Sequence, residues 1–157
     1  MKKTKKSSFR TELIAPCGMN CAICSRYLSY THDLWEKGIE IPYCPGCRPR
    51  DRKCAFIKKK CKALLNKELE YCFECADFPC KTLEKLDGRY RMYYKMSMID
   101  NLKSMKKNGI DGFLKMQEKE WRCPECGGAR CCHNGLCYTC SADKLKKLKR
   151  IYRWQEA

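Results

Sequence analysis

The placement of sixteen cysteines constrains this 157-residue chain more than any other feature. Twelve fall into spaced clusters: Cys17-x3-Cys21-x2-Cys24, Cys44-x2-Cys47, Cys72-x2-Cys75-x4-Cys80, and Cys123-x2-Cys126-x10-Cys137-x2-Cys140. Two thiolates separated by two residues can turn their sulfurs to the same side of a tight backbone knuckle. Two such knuckles complete a tetrahedral site for a soft or borderline cation. The expected fold is small, mainly α, cysteine-rich and metal-stabilised, with a zinc-ribbon-like β module at its C-terminal end.

Cysteine density could equally mean a disulfide scaffold, so compartment decides the chemistry. The basic start Met1-Lys-Lys-Thr-Lys-Lys is not followed by an apolar run of signal-peptide length. No stretch approaches the roughly 18 apolar residues of a membrane span. A cytoplasmic location away from membranes is expected, where thiols stay reduced and C-x2-C pairs read as metal ligands.

The formal charge is +16. Twelve thiolates on three dications would lower it to about +10, which is still strongly basic. Such a surface suits an anionic partner, either nucleic acid or an acidic protein. Aliphatic residues are sparse, and cysteine and tyrosine carry much of the apolar content. Metal binding is therefore expected to supply much of the folding free energy.

Along the chain, helical segments alternate with cysteine knuckles. Residues 1–10 read as a disordered basic tail, 11–120 as a cysteine-rich helical metal-binding domain, and 121–157 as a zinc ribbon with a basic helix. Ile23, Tyr27, Tyr30 or Thr31, and Leu34 recur at helical spacing, with Gly38 as a stop. A basic helix with Cys61 on its apolar face is expected from Ala55 to Asn66, carrying the Lys58-Lys59-Lys60 run. The strongest period is Leu83, Leu86, Tyr90, Tyr94, Met98, Leu102 and Met105, closed by Asn108-Gly109. It predicts one helix whose tyrosines and methionines form a core stripe. A shorter helix follows from Asp111 towards Trp121, and Ser141 starts a last one with Leu145, Leu148 and Tyr152 facing one way.

Cys123, Cys126, Cys137 and Cys140 have the layout of a ribbon in which two knuckles share one Zn2+. Cys131, Cys132 and His133 lie in the intervening loop; adjacent cysteines aim poorly at one ion, so a packed thiol pair and a solvated histidine are expected. The spacing of Cys17, Cys21 and Cys24 also occurs where three cysteines hold a [4Fe–4S] cluster in radical enzymes, but this chain is too short for the αβ-barrel they need. Cys80 is the expected fourth ligand there, for zinc or a [4Fe–4S] cluster. Cys44 and Cys47 are expected to pair with Cys72 and Cys75, leaving Cys54 and Cys61 over, either of which could replace Cys80.

The string Cys17-Gly-Met-Asn-Cys21-Ala-Ile-Cys24, then Cys44-Pro-Gly-Cys47, then Tyr71-Cys72-Phe-Glu-Cys75-Ala-Asp-Phe-Pro-Cys80, resembles the small cysteine-rich proteins grouped as domain of unknown function 3795. Arg89-Tyr-Arg through Ser97, Asn101-Leu102, Gly109-Ile110 and the ending Trp121-Arg-Cys-Pro-Glu-Cys-Gly-Gly are similar to its longer members. The resemblance implies no established reaction. It also speaks against Cys131 and Cys132 as ribbon ligands.

Neither a phosphate-binding glycine loop nor an H-E-x-x-H sequence occurs, and His32 and His133 are the only imidazoles. The expected function is that of a non-enzymatic zinc protein contacting nucleic acid through Lys144, Lys146, Lys147, Lys149, Arg150 and Arg153. Tyr138 or Trp154 would stack on unpaired bases. The alternative is an iron–sulfur protein of an anaerobe, carrying electrons or assisting an enzyme.

Overall fold

The computed structural model describes residues 9–50 and 61–154, with the Arg50 side chain left aside. The expected disordered tail up to residue 8, the first half of the Ala55–Asn66 helix with its lysine run, and Cys54 lie outside the described residues.

The architecture is mainly helical. Its α-helices are α1 (Ser25–Thr31), α2 (Cys47–Arg50), α3 (Lys62–Leu65), α4 (Lys81–Tyr93), α5 (Met98–Trp121) and α6 (Ala142–Lys147), with short 3-10 turns among the cysteine knuckles. Among the described residues, extended pairing is limited to isolated antiparallel bridges, Ile14 with Asn20, Arg122 with Ala129, and Arg130 with Cys137. The expected β module is thus not seen among the described residues, where the C-terminal knuckles carry only two single bridges. No helix among the described residues is long and apolar enough to cross a membrane.

The first helical period breaks into pieces. α1 ends at Thr31, Asp33 adopts a left-handed φ of 49°, and a 3-10 turn Leu34–Lys37 carries the chain to Gly38. The period was preserved across the break because Leu34 still reaches the core, where it is fully buried.

The long apolar stripe is likewise divided. Leu83, Met98, Leu102 and Met105 are all buried as a core stripe, but α4 stops at Tyr93 and α5 starts at Met98. Lys95 takes a left-handed φ of 53°, and Ser97 caps α5 by accepting the Asp100 amide at 3.0 Å. Asp87, on α4, accepts from the Ser97 hydroxyl at 2.6 Å and from the Ile99 amide at 3.0 Å. A buried carboxylate of one helix therefore satisfies the open N-terminus of the next, and this fixes the corner. Gly109, with φ 75° and ψ 168°, interrupts α5 where the sequence reading ended its helix.

The loop between Cys17 and Cys21 lies directly on α5. Gly18 has φ +90°, its carbonyl accepts from Asn101 at 3.0 Å, and a Cβ there would meet the Met98 carbonyl oxygen at 2.8 Å. Only glycine permits that approach at that backbone angle.

The core is fuller than the aliphatic content suggests, because cysteine, methionine and aromatic residues complete it. One cluster joins Leu13, Ile14, Ile23, Leu83, Leu102 and Phe113, and extends to Trp121 and Cys132. A second joins Leu28, Leu34, Ile41, Cys131, Tyr138 and Leu145. Both clusters run across the boundary expected near residue 120. The Cys132 amide donates to the Ile23 carbonyl at 2.9 Å, and the Trp154 indole donates to the Cys132 carbonyl at 2.8 Å.

Candidate metal centre

The C-terminal knuckles bring Cys123, Cys126, Cys137 and Cys140 together, with all four sulfurs within 4.8 Å of one another. Cys126 and Cys137 Sγ are 3.5 Å apart, and Cys123 and Cys140 Sγ 3.9 Å. Four sulfurs at about 2.3 Å from one tetrahedral ion would stand about 3.8 Å from each other, so the donor set already has single-ion dimensions. The turn after Cys123 is closed by its amide donating to the Gly128 carbonyl at 2.6 Å. The Gly128 amide donates to Cys126 Sγ at 3.4 Å, and the Cys140 amide to Cys137 Sγ at 3.5 Å. Such donors stabilise thiolate over thiol.

Electrostatics at the four sulfurs favour a cation. The backbone amides of Cys126 and Glu125 help draw the Cys123 thiol down to about 7. Cys140, hydrogen-bonded by Cys126 first and then crowded by Cys137 and Cys123, is pushed up to about 12. One thiolate forms readily, but the last does not form beside the others without a compensating dication. Among the described residues, this is the one set of three or more cysteine, histidine or acidic side chains gathered so tightly.

The intervening loop behaves as expected for its thiols and differently for its histidine. Cys131 and Cys132 are fully buried, and burial raises both above the ordinary thiol range. Cys131 Sγ accepts from the Tyr138 hydroxyl at 3.4 Å and from the His133 amide at 3.3 Å. His133 is not solvated but 6% exposed, in a cage of Tyr90, Tyr94 and Tyr152 rings. Its Nδ1 accepts the Ser25 amide at 3.3 Å, which leaves Nε2 to carry the proton towards the Tyr90 hydroxyl, 3.3 Å away. Burial, aided by the charge of Arg26, lowers His133 to about 4. No local pattern in the sequence signals this role, since its partners come from α1, α4 and the chain end.

The remaining cysteines lie along the first cluster and around one cavity. The Cys47 amide donates to Cys21 Sγ at 3.4 Å, which sets the second knuckle against the first cluster. Cys24 is fully enclosed, and burial pushes it up to about 12, with Cys131 and Cys47 adding like charge. Cys72, Cys75 and Cys80 line one cavity together with Cys61. Cys61 does not lie on a helix face as expected; it is the extended residue immediately before α3. Cys17 and Cys44 are buried in and beside the core.

Among the described residues the basic C-terminal segment is helical only over α6. Leu145 is 2% exposed and anchors it, while Lys144, Lys146, Lys147, Lys149 and Arg150 are exposed, the last two beyond the helix. Arg153 instead lies over the Tyr93 ring at 3.7 Å, tied to the body of the protein. Tyr138 is fully buried and Trp154 is half-buried on Cys132, so neither offers the free face expected for stacking on bases.

No curated protein and no solved structure matches the chain. Residues 13–85 match the model of the family described as Protein of unknown function (DUF3795), and that segment is similar to this family.

Proposed function

We propose that this chain is a zinc protein without a reaction of its own, whose C-terminal centre holds one Zn2+ and whose basic face binds nucleic acid. The observation that carries the metal assignment is the gathering of Cys123, Cys126, Cys137 and Cys140 within 4.8 Å. An all-sulfur tetrahedral set suits zinc, and a closed set of four leaves no open position for substrate. The single bridges of Arg122 with Ala129 and of Arg130 with Cys137 beside the knuckles support this reading.

The nucleic-acid reading is supported by placement. Ser141 starts α6 directly after the last ligand, and Leu145 pins the helix to the second core cluster. The metal centre thereby sets the direction in which Lys144, Lys146 and Lys147 point, with Lys149 and Arg150 extending the charged edge. With Tyr138 and Trp154 turned inward, the contacts are to phosphates and not to base faces, so binding is governed by charge.

Binding of single- and double-stranded RNA and DNA, measured across a salt series, tests this reading. Affinity is expected to fall steeply with salt. Replacing Lys146, Lys147 and Arg150 together by glutamate should remove about three phosphate contacts and flatten the logarithmic salt slope by about 2 to 3. Zinc content should not change. Absence of salt-dependent binding to all four nucleic acids would overturn the nucleic-acid part and leave the metal assignment standing.

A further inference from the structure

The thiols outside the zinc centre are not evenly distributed. Cys61, Cys72, Cys75 and Cys80 line a single cavity of about 300 Å3. Leu64, Leu69, Phe78 and Leu83 provide its apolar wall. Three pieces of backbone deliver the four sulfurs: the residue before α3, the two ends of the 3-10 turn Cys72–Glu74, and the N-cap of α4. All four are free thiols, and none is deeply buried.

Their spacing differs in kind from that of the C-terminal four. One zinc ion draws its sulfurs to about 3.8 Å from each other, and the C-terminal set has that compactness. The cavity cysteines do not form a set gathered within 4.8 Å, although they face the same space. Four thiolates that each bind a different iron of one cluster stand farther apart than four that share one ion. The cavity is roughly ten times the ~30 Å3 share of a water molecule in the liquid, which leaves room for a polynuclear centre. An apolar shell of this kind limits water access to a cluster and helps set its potential.

We infer that Cys61, Cys72, Cys75 and Cys80 hold an iron–sulfur cluster of the four-cysteine type, separate from the zinc centre and independent of it. Cys61, which the spacing of the knuckles left without a partner, is the fourth ligand. Cys17 is buried near Cys72, whose thiol it raises by like charge, but it is not among the residues that line the cavity.

The test uses the full chain, purified without air and incubated with ferrous iron and sulfide. Iron, acid-labile sulfide and zinc are measured on one sample, with the visible spectrum and the paramagnetic resonance signal after reduction. The expected result is a brown protein with about four iron and four sulfide per chain beside its zinc. Cys61→Ala and Cys75→Ser should each lower bound iron at least about fivefold, with zinc and far-ultraviolet circular dichroism retained. If Cys75→Ser fails to fold, Cys61→Ala decides. Failure of the wild-type chain to take up iron and sulfide overturns the inference. So does a second zinc on these cysteines, or a cluster undiminished in Cys61→Ala.

Discussion

Acidification should weaken this fold through His133 in particular. The ring is buried among three tyrosines, and its Nδ1 accepts the Ser25 amide. Burial disfavours a charge in this desolvated cage and the nearby Arg26 adds repulsion, which is why His133 sits at about 4 against an ordinary 6.5. In the unfolded chain the same ring protonates at its ordinary value, so between the two the unfolded state binds more protons and stability rises with pH. The contribution is fully present above about 6.5, is lost progressively as pH falls, and is gone below about 4. Integrated from about pH 7 to about pH 5, that difference is worth roughly 2 kcal/mol. Denaturant unfolding of zinc-loaded protein at both pH values, compared with His133→Asn, measures it. The variant keeps an acceptor for the Ser25 amide but cannot titrate, and any acid sensitivity of the shared zinc centre is common to both proteins. The wild type should therefore lose about 2 kcal/mol more than the variant over this interval. Parallel losses would refute the buried neutral histidine, as would a ring that NMR shows protonated at about pH 6 in the native state.

Two further substitutions probe the packing around the knuckles. Gly18→Ala must move either the Met98 carbonyl or Leu102, and it must hold a left-handed φ; a loss of about 2 to 4 kcal/mol is expected in chemical unfolding, with the α5 face loosened in amide exchange. Cys131→Ser and Cys132→Ser should each cost about 1 to 3 kcal/mol by burying a hydroxyl in thiol-shaped space, while the zinc count stays the same.

What the sequence made legible was local. C-x2-C spacing places two sulfurs on one side of a turn whatever lies elsewhere, and the C-terminal four, whose knuckles are close in the chain, were readable as one set. That Cys61 lines the same cavity as Cys72 and Cys75 was not readable, because the path of the intervening chain and not a repeat brings it there. The stripe from Leu83 to Met105 was correctly read as core, yet its period runs on through Tyr94 to Ser97, where the chain turns. The signal for that corner was present in Ser97 and Asp100 as a helix-start pair, and in Asp87 only after folding brought it near. His133 had no signal of its own: its tyrosine cage is assembled from Tyr90, Tyr94 and Tyr152 on separated stretches. Tyr138 was expected to stack on bases, whereas it is buried by docking against α1 and the Leu34 cluster.

The most direct test of the central claim is X-ray absorption at the zinc edge, with metal counted per chain, on protein purified under reducing conditions. The account predicts one zinc with four sulfur neighbours at about 2.3 Å, lost in Cys126→Ser and retained in Cys131→Ser. A first shell containing nitrogen or oxygen, zinc that persists unchanged in Cys126→Ser, or Cys123 to Cys140 joined as disulfides would contradict it.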